Sequence, residues 1–66
     1  MQVYVSLKYC RVLRYCIHGV KRFCVRYDLD FKKLAHGELP VEEFENTGEA
    51  MALQVAELAR RVADGR

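Results

Sequence analysis

"NTGEAMALQVAELARRVADG", residues 46–65, is the stretch whose reading decides the fold. Apolar side chains recur at Met51, Val55, Leu58 and Val62, an i, i+4, i+7, i+11 stripe that predicts one amphipathic helix. Ala52 and Ala59 flank the stripe with side chains small enough for close approach. Asn46 or Thr47 is placed to cap this helix, and Glu49 completes a capping box if Asn46 is the cap. Arg60 and Arg61 suit the negative end of the helix dipole, and Gly65 is a natural stop. A stripe of this kind is core rather than a cofactor box, so the remainder of the chain has to cover it.

Working outward, "LPVEEFEN" (39–46) puts Pro40 where a first helical position tolerates it, with Glu42 and Glu43 at the positive end of the dipole. "YDLDFKKLAHG" (27–37) offers Asp30 as an N-cap, Phe31 and Leu34 as an apolar edge and Gly37 as a C′ residue, which predicts a short helix over 31–36. Between Leu7 and Tyr27 the positions Leu13, Cys16, Ile17, Val20, Cys24 and Tyr27 keep helical spacing, behind Ser6 as a cap. One long helix would carry Gly19 in its middle, at a cost of ~1 kcal/mol against alanine. Two helices, near 7–14 and 17–27, place Gly19 in a first turn instead. "QVYVS" (2–6) alternates and is β-branched, so it reads as a short extended piece that leads into the first helix or pairs with a copy of itself. The expected architecture is all-α: one compact bundle of three to five short helices over residues 1–66, with a short extended N-terminal segment.

Sixty-six residues make one small domain, which buries only ~60 % of its unfolded surface; a homodimer or a bound partner would add to that. No run approaches the ~20 apolar residues of a spanning helix, and "MQVYVSLKYC" has no charged region ahead of an apolar stretch. The expected location is therefore cytoplasmic. Cys10, Cys16 and Cys24 are odd in number and spaced by six and eight, unlike the Cys-x-x-Cys pairs of zinc sites, and His18 and His36 complete no such pattern. They are expected to be reduced, metal-free and at least partly buried.

Charge divides the chain. Residues 1–33 hold eight Lys/Arg against two Asp, a net of +6, and residues 34–66 hold three Arg against seven acids, a net of −4. Lys8, Arg11, Arg14, Lys21, Arg22 and Arg26 form a candidate basic surface, with Tyr9 and Tyr15 near it, that suits phosphates. Glu42, Glu43 and Glu45 form a candidate acidic surface. "FKKLAHGELPVEEF" (31–44) has the outline of a helix-turn-helix, yet its second helix is acidic and would be repelled by a phosphate backbone. Any nucleic-acid binding is accordingly expected to be weak and sequence-independent. Short connections are expected to bring the basic half partly against the acidic 38–49 segment. The sharper alternative makes Glu42, Glu43 and Glu45 a docking patch for a basic protein.

No nucleophile elbow, phosphate-cradling loop or His-rich metal motif is present, so no enzymatic activity and no cofactor are expected. Asp28, Asp30 and His36 come nearest to a catalytic set, and capping roles account for all three.

"FCVRYDLDF" (23–31), "LPVEEF" (39–44) and "TGEAMALQVAELAR" (47–60), with "YC" at 15–16 and Gly19, resemble a group of small proteins encoded in bacteriophages and prophages. The resemblance covers about four fifths of the chain. Relatives tend to carry tryptophan at the place of Phe31, glycine at the place of Glu38, and often glycine at the place of Arg14. The resemblance implies a phage or prophage origin, with the host cytoplasm as its setting, and it implies no catalytic residues. The reading reached is a small interaction protein, an accessory or assembly factor with a host or phage protein as partner. A nucleic-acid-binding regulator using the basic helices is the alternative.

Overall fold

The computed structural model describes residues 2–65. Its elements follow one another as β1 (Tyr4–Val5), α1 (Leu7–Val12), α2 (Ile17–Arg26), α3 (Phe31–Ala35), β2 (Leu39–Pro40), α4 (Val41–Glu45) and α5 (Ala50–Asp64). The chain is thus mostly helical, and the two strands add what an all-α reading leaves out. β1 and β2 pair antiparallel, Tyr4 opposite Pro40 and Val5 opposite Leu39. The N-terminal segment therefore finds its partner inside the chain. Proline has no N–H for the ladder, and the next residue supplies one: Val41 N–H donates to the Val3 carbonyl at 3.0 Å.

Residues 7–27 form two helices, and the break is made by the backbone. α1 ends at Val12 rather than 14, and α2 ends at Arg26 rather than 27. Arg14 follows the α1 cap with φ 66°, in the left-handed region. Arg14 N–H then reaches the Arg11 carbonyl at 2.9 Å, and Tyr15 N–H reaches that of Cys10 at 2.9 Å. This is the Schellman closure. It recurs after α2, where Asp28 has φ 57° and Leu29 N–H donates to the Cys24 carbonyl at 2.7 Å. It recurs again after α3, where His36 is the cap, Gly37 has φ 72° and Glu38 N–H donates to the Lys33 carbonyl at 2.8 Å.

At the other ends, Ser6 accepts weakly from Lys8 N–H at 3.4 Å, and Asp30 accepts from Lys32 and Lys33 N–H at 2.9 and 3.3 Å. Two expected helix starts are displaced. Pro40 is the N-cap of α4 rather than its first helical residue. Asn46 closes α4, so α5 starts after Glu49, and no capping box forms. Thr47 bridges the two helices, its hydroxyl donating to the Phe44 carbonyl at 2.8 Å and accepting from Glu49 N–H at 3.3 Å.

Every element contributes to one core: Val5, Cys10, Val20, Phe23, Cys24, Leu34, Leu39, Val41 and Phe44 close over Ala52, Val55, Ala56 and Ala59. Phe44 is fully buried, with the Phe23 ring edge-on to it at 5.3 Å. The expected stripe on α5 is rotated. Val55 belongs to the core, but Met51 and Leu58 are half-buried and Val62 is exposed. The alanines taken as flanks form the packed face, because small side chains let α4 and β1 approach the α5 backbone closely.

Two tests follow from this packing. Phe44→Ala should cost ~3–5 kcal/mol, enough to unfold a chain this small, whereas Leu58→Ala should cost less because Leu58 is only half-buried. Thermal melts of the two variants decide it, and equal losses would contradict the rotated stripe. Arg14→Gly should stabilise by up to ~1 kcal/mol, since glycine adopts the left-handed region without the steric cost an L side chain bears there. Gly37→Ala should destabilise by ~1–2 kcal/mol by the same cost, although its Cβ would meet Ser6 only at an ordinary 3.6 Å. A urea titration in which Arg14→Gly lowers stability would overturn this account of the break.

Candidate functional site

α2 has two opposed faces. Val20, Phe23 and Cys24 point into the core. On the far side His18, Lys21, Arg22, Val25 and Arg26 line an open groove of about 450 Å³. Their spacing is i, i+3, i+4, i+7, i+8, the pattern of one helix face. Val25 is 80 % exposed, more than any other large apolar side chain described. It sits among three cations, and among the described residues no carboxylate lines the groove.

The structure brings together only half of the expected basic surface. Lys21, Arg22 and Arg26 share the groove, while Lys8, Arg11 and Arg14 are exposed on and after α1 and do not line it. Among the described residues none of the six enters an ion pair. Three of them lie over aromatic rings of their own chain: Lys8 over Tyr9 at 5.8 Å, Lys21 over Phe31 at 5.6 Å and Arg26 over Tyr27 at 5.7 Å. His18 and Val25 are the groove residues that sequence reasoning missed. Their signal was present, since His18, Arg22 and Val25 stand at i, i+4, i+7 on the side away from Val20 and Cys24.

The acidic segment is occupied differently from expectation. Arg60 of α5, not a residue of the basic half, makes a bidentate pair with Glu45 at 2.7 and 2.9 Å, and its guanidinium is 4.0 Å from Glu42. The Gln2 amide donates to Glu42 at 2.9 Å. That amide bond holds the Glu42 carboxyl below its ordinary value, and the Arg60 bonds do the same for Glu45. Glu43 is exposed. The basic half does meet the acidic segment, but through neutral donors: Gln2 to Glu42, and the Tyr27 hydroxyl to Glu49, a bond that raises the Tyr27 phenol above its ordinary value. Tyr15 is likewise committed, its hydroxyl donating to Gln54.

The cysteines divide into two kinds. Cys10 and Cys24 are buried, and burial pushes the Cys10 thiol up to about 11 and raises that of Cys24. Cys16 corrects the expectation of burial for all three, being exposed at the N-cap of α2. The backbone N–H groups of Gly19 and His18 draw its thiol below the ordinary value, although no side-chain cap bond closes there. Among the described residues no group of three or more His, Cys, Asp or Glu is placed to hold a metal ion, and no helix is long and apolar enough to cross a membrane. The three residues nearest to a catalytic set are dispersed along helix ends: Asp30 caps α3, Asp28 closes α2 and His36 ends α3.

In comparisons with known proteins, the chain matches no family model, no curated protein and no solved structure.

The two thiol environments predict a labelling pattern. At neutral pH a disulfide reagent should react quickly with one thiol per native chain, Cys16, and with all three only after denaturation. Cys16→Ser should remove the fast phase; a fast phase that persists in that variant would place a second thiol at the surface.

Proposed function

We propose that the chain is a small interaction protein of phage or prophage origin that binds another protein through the outer face of α2. The observation that carries this reading is Val25, 80 % exposed and set among Lys21, Arg22 and Arg26, with no acid of the described residues in the groove. An apolar centre inside a charged rim is the anatomy of a protein–protein contact. The resemblance to small phage-encoded proteins favours an accessory or assembly role in the host cytoplasm.

Nucleic-acid binding is the second reading, supported by the same three cations. It ranks lower for a structural reason. Binding of single strands relies on free aromatic platforms for the bases. Here Tyr15 and Tyr27 are hydrogen-bonded into the fold, and Phe31 and Tyr27 are overlain by the chain's own cations. A phosphate backbone also offers nothing apolar to Val25. The acidic patch of Glu42, Glu43 and Glu45 ranks lower as a docking surface, since Arg60 and Gln2 already engage two of its carboxylates.

Site-specific photo-crosslinking in bacteria tests the reading. A crosslinker at position 25 should give discrete protein adducts that survive nuclease and disappear when Lys21, Arg22 and Arg26 are changed to glutamate. The same crosslinker at Leu53, an exposed apolar residue of α5, should not give them. Adducts that vanish with nuclease, or that form equally from both positions, would overturn it.

A further inference from the structure

The α2 groove also carries information about the shape of what it binds. The following rests on the proposed protein-binding role of that face. We infer that the occupant is an acidic amphipathic helix of the partner protein, lying along α2 with an apolar side chain seated over Val25 and carboxylates on Lys21, Arg22 and Arg26.

Three observations carry this. First, the groove residues keep the i, i+3, i+4, i+7, i+8 spacing with which a helix presents a packing face to another helix. α2 already uses Val20, Phe23 and Cys24 against the core, so the core does not draw on this second face. Second, the groove lining is mostly aliphatic carbon: Val25 and the stems of Lys21, Arg22 and Arg26. Long cationic side chains cover apolar surface with their stems while their heads stay in water. A partner must therefore be apolar along its centre and charged along its edges. Third, the heads are all cationic and enter no ion pair among the described residues. Arginine's planar fork matches a carboxylate bidentately, as Arg60 does with Glu45 in this same chain. Ten residues of α2 span ~15 Å, so about three turns of the partner helix suffice.

An anionic membrane fits less well. An interfacial helix inserts a broad apolar face, and α2 has turned most of its own into the core, leaving Val25 and, at its first residue, Ile17 outside. A flexible acidic tail would satisfy the cations and leave Val25 unused.

The test uses the full chain and three probes: a synthetic helix of about fifteen residues with one leucine per turn flanked by glutamates, poly-glutamate of similar charge, and a short DNA duplex. The peptide should bind best, and its affinity should fall as salt rises. Val25→Ser should weaken it about tenfold, the loss of one buried apolar contact. Arg22→Glu should weaken it at least as much, and Leu53→Ser should leave it unchanged. All three positions are exposed, so circular dichroism should show unaltered folding. If poly-glutamate binds as tightly and Val25→Ser has no effect, the groove is only a charge sink and the helix inference fails; the adducts from position 25 decide separately whether a protein binds there. No binding of the peptide overturns the inference as well. Duplex DNA bound at a salt concentration that dissociates the peptide overturns both.

Discussion

Helix length is the constraint on which this structure depends. α1, α3 and α4 have five or six residues and α2 has ten, all below the ~12–15 at which an isolated helix becomes even marginal in water. None of them holds itself together, so each must be closed at its ends and pinned by an apolar face. The three left-handed closures at Arg14, Asp28 and Gly37 satisfy carbonyls that a short helix would otherwise leave open, and they turn the chain sharply enough to stack the next element. Phe44 and the alanine face of α5 provide the common surface on which the pieces meet. The β1–β2 ladder then fastens residues 3–5 to the start of α4.

The same economy explains why the surface is so uneven. A core assembled from single residues of many short elements uses a narrow strip of each helix. α2 spends three residues on it and exposes most of the others. On α4 and α5 the surface charges find one another, half-buried Glu45 with exposed Arg60, because those helices lie side by side. On α2 no acid among the described residues comes opposite. Such exposed pairs contribute only ~0–1 kcal/mol each. The charge division of the chain therefore matters less for holding the fold than for the character of its outer faces.

The cysteines show how position within a closure sets chemistry. Cys10 and Cys24 occupy equivalent places, each giving its carbonyl to the closing amide of its helix and its side chain to the core. Cys16 stands at a helix start, where the free amides favour a thiolate and the side chain faces solvent. Sequence spacing treats the three alike, since all fall on the helical period of residues 7–27.

By itself the sequence determined that the chain is mostly helical, where most of the helices lie, and that Asp30 and Gly37 bound the third. These are local matters of capping chemistry, backbone conformation and periodicity over a few residues. It determined the two charge blocks as well. Tertiary structure decided the rest. A two-residue strand has too little sequence to announce its partner, so only the folded chain could join Tyr4 to Pro40, thirty-six positions away. α5 carries two legible stripes that share Val55, and side-chain size alone could not choose between them. The choice fell to the alanines because α4 and β1 needed to come close to the backbone. The face around Val25 was legible in its spacing, opposite Val20 and Cys24, but spacing cannot say whether another element covers such a face, and only the folded chain leaves Val25 open.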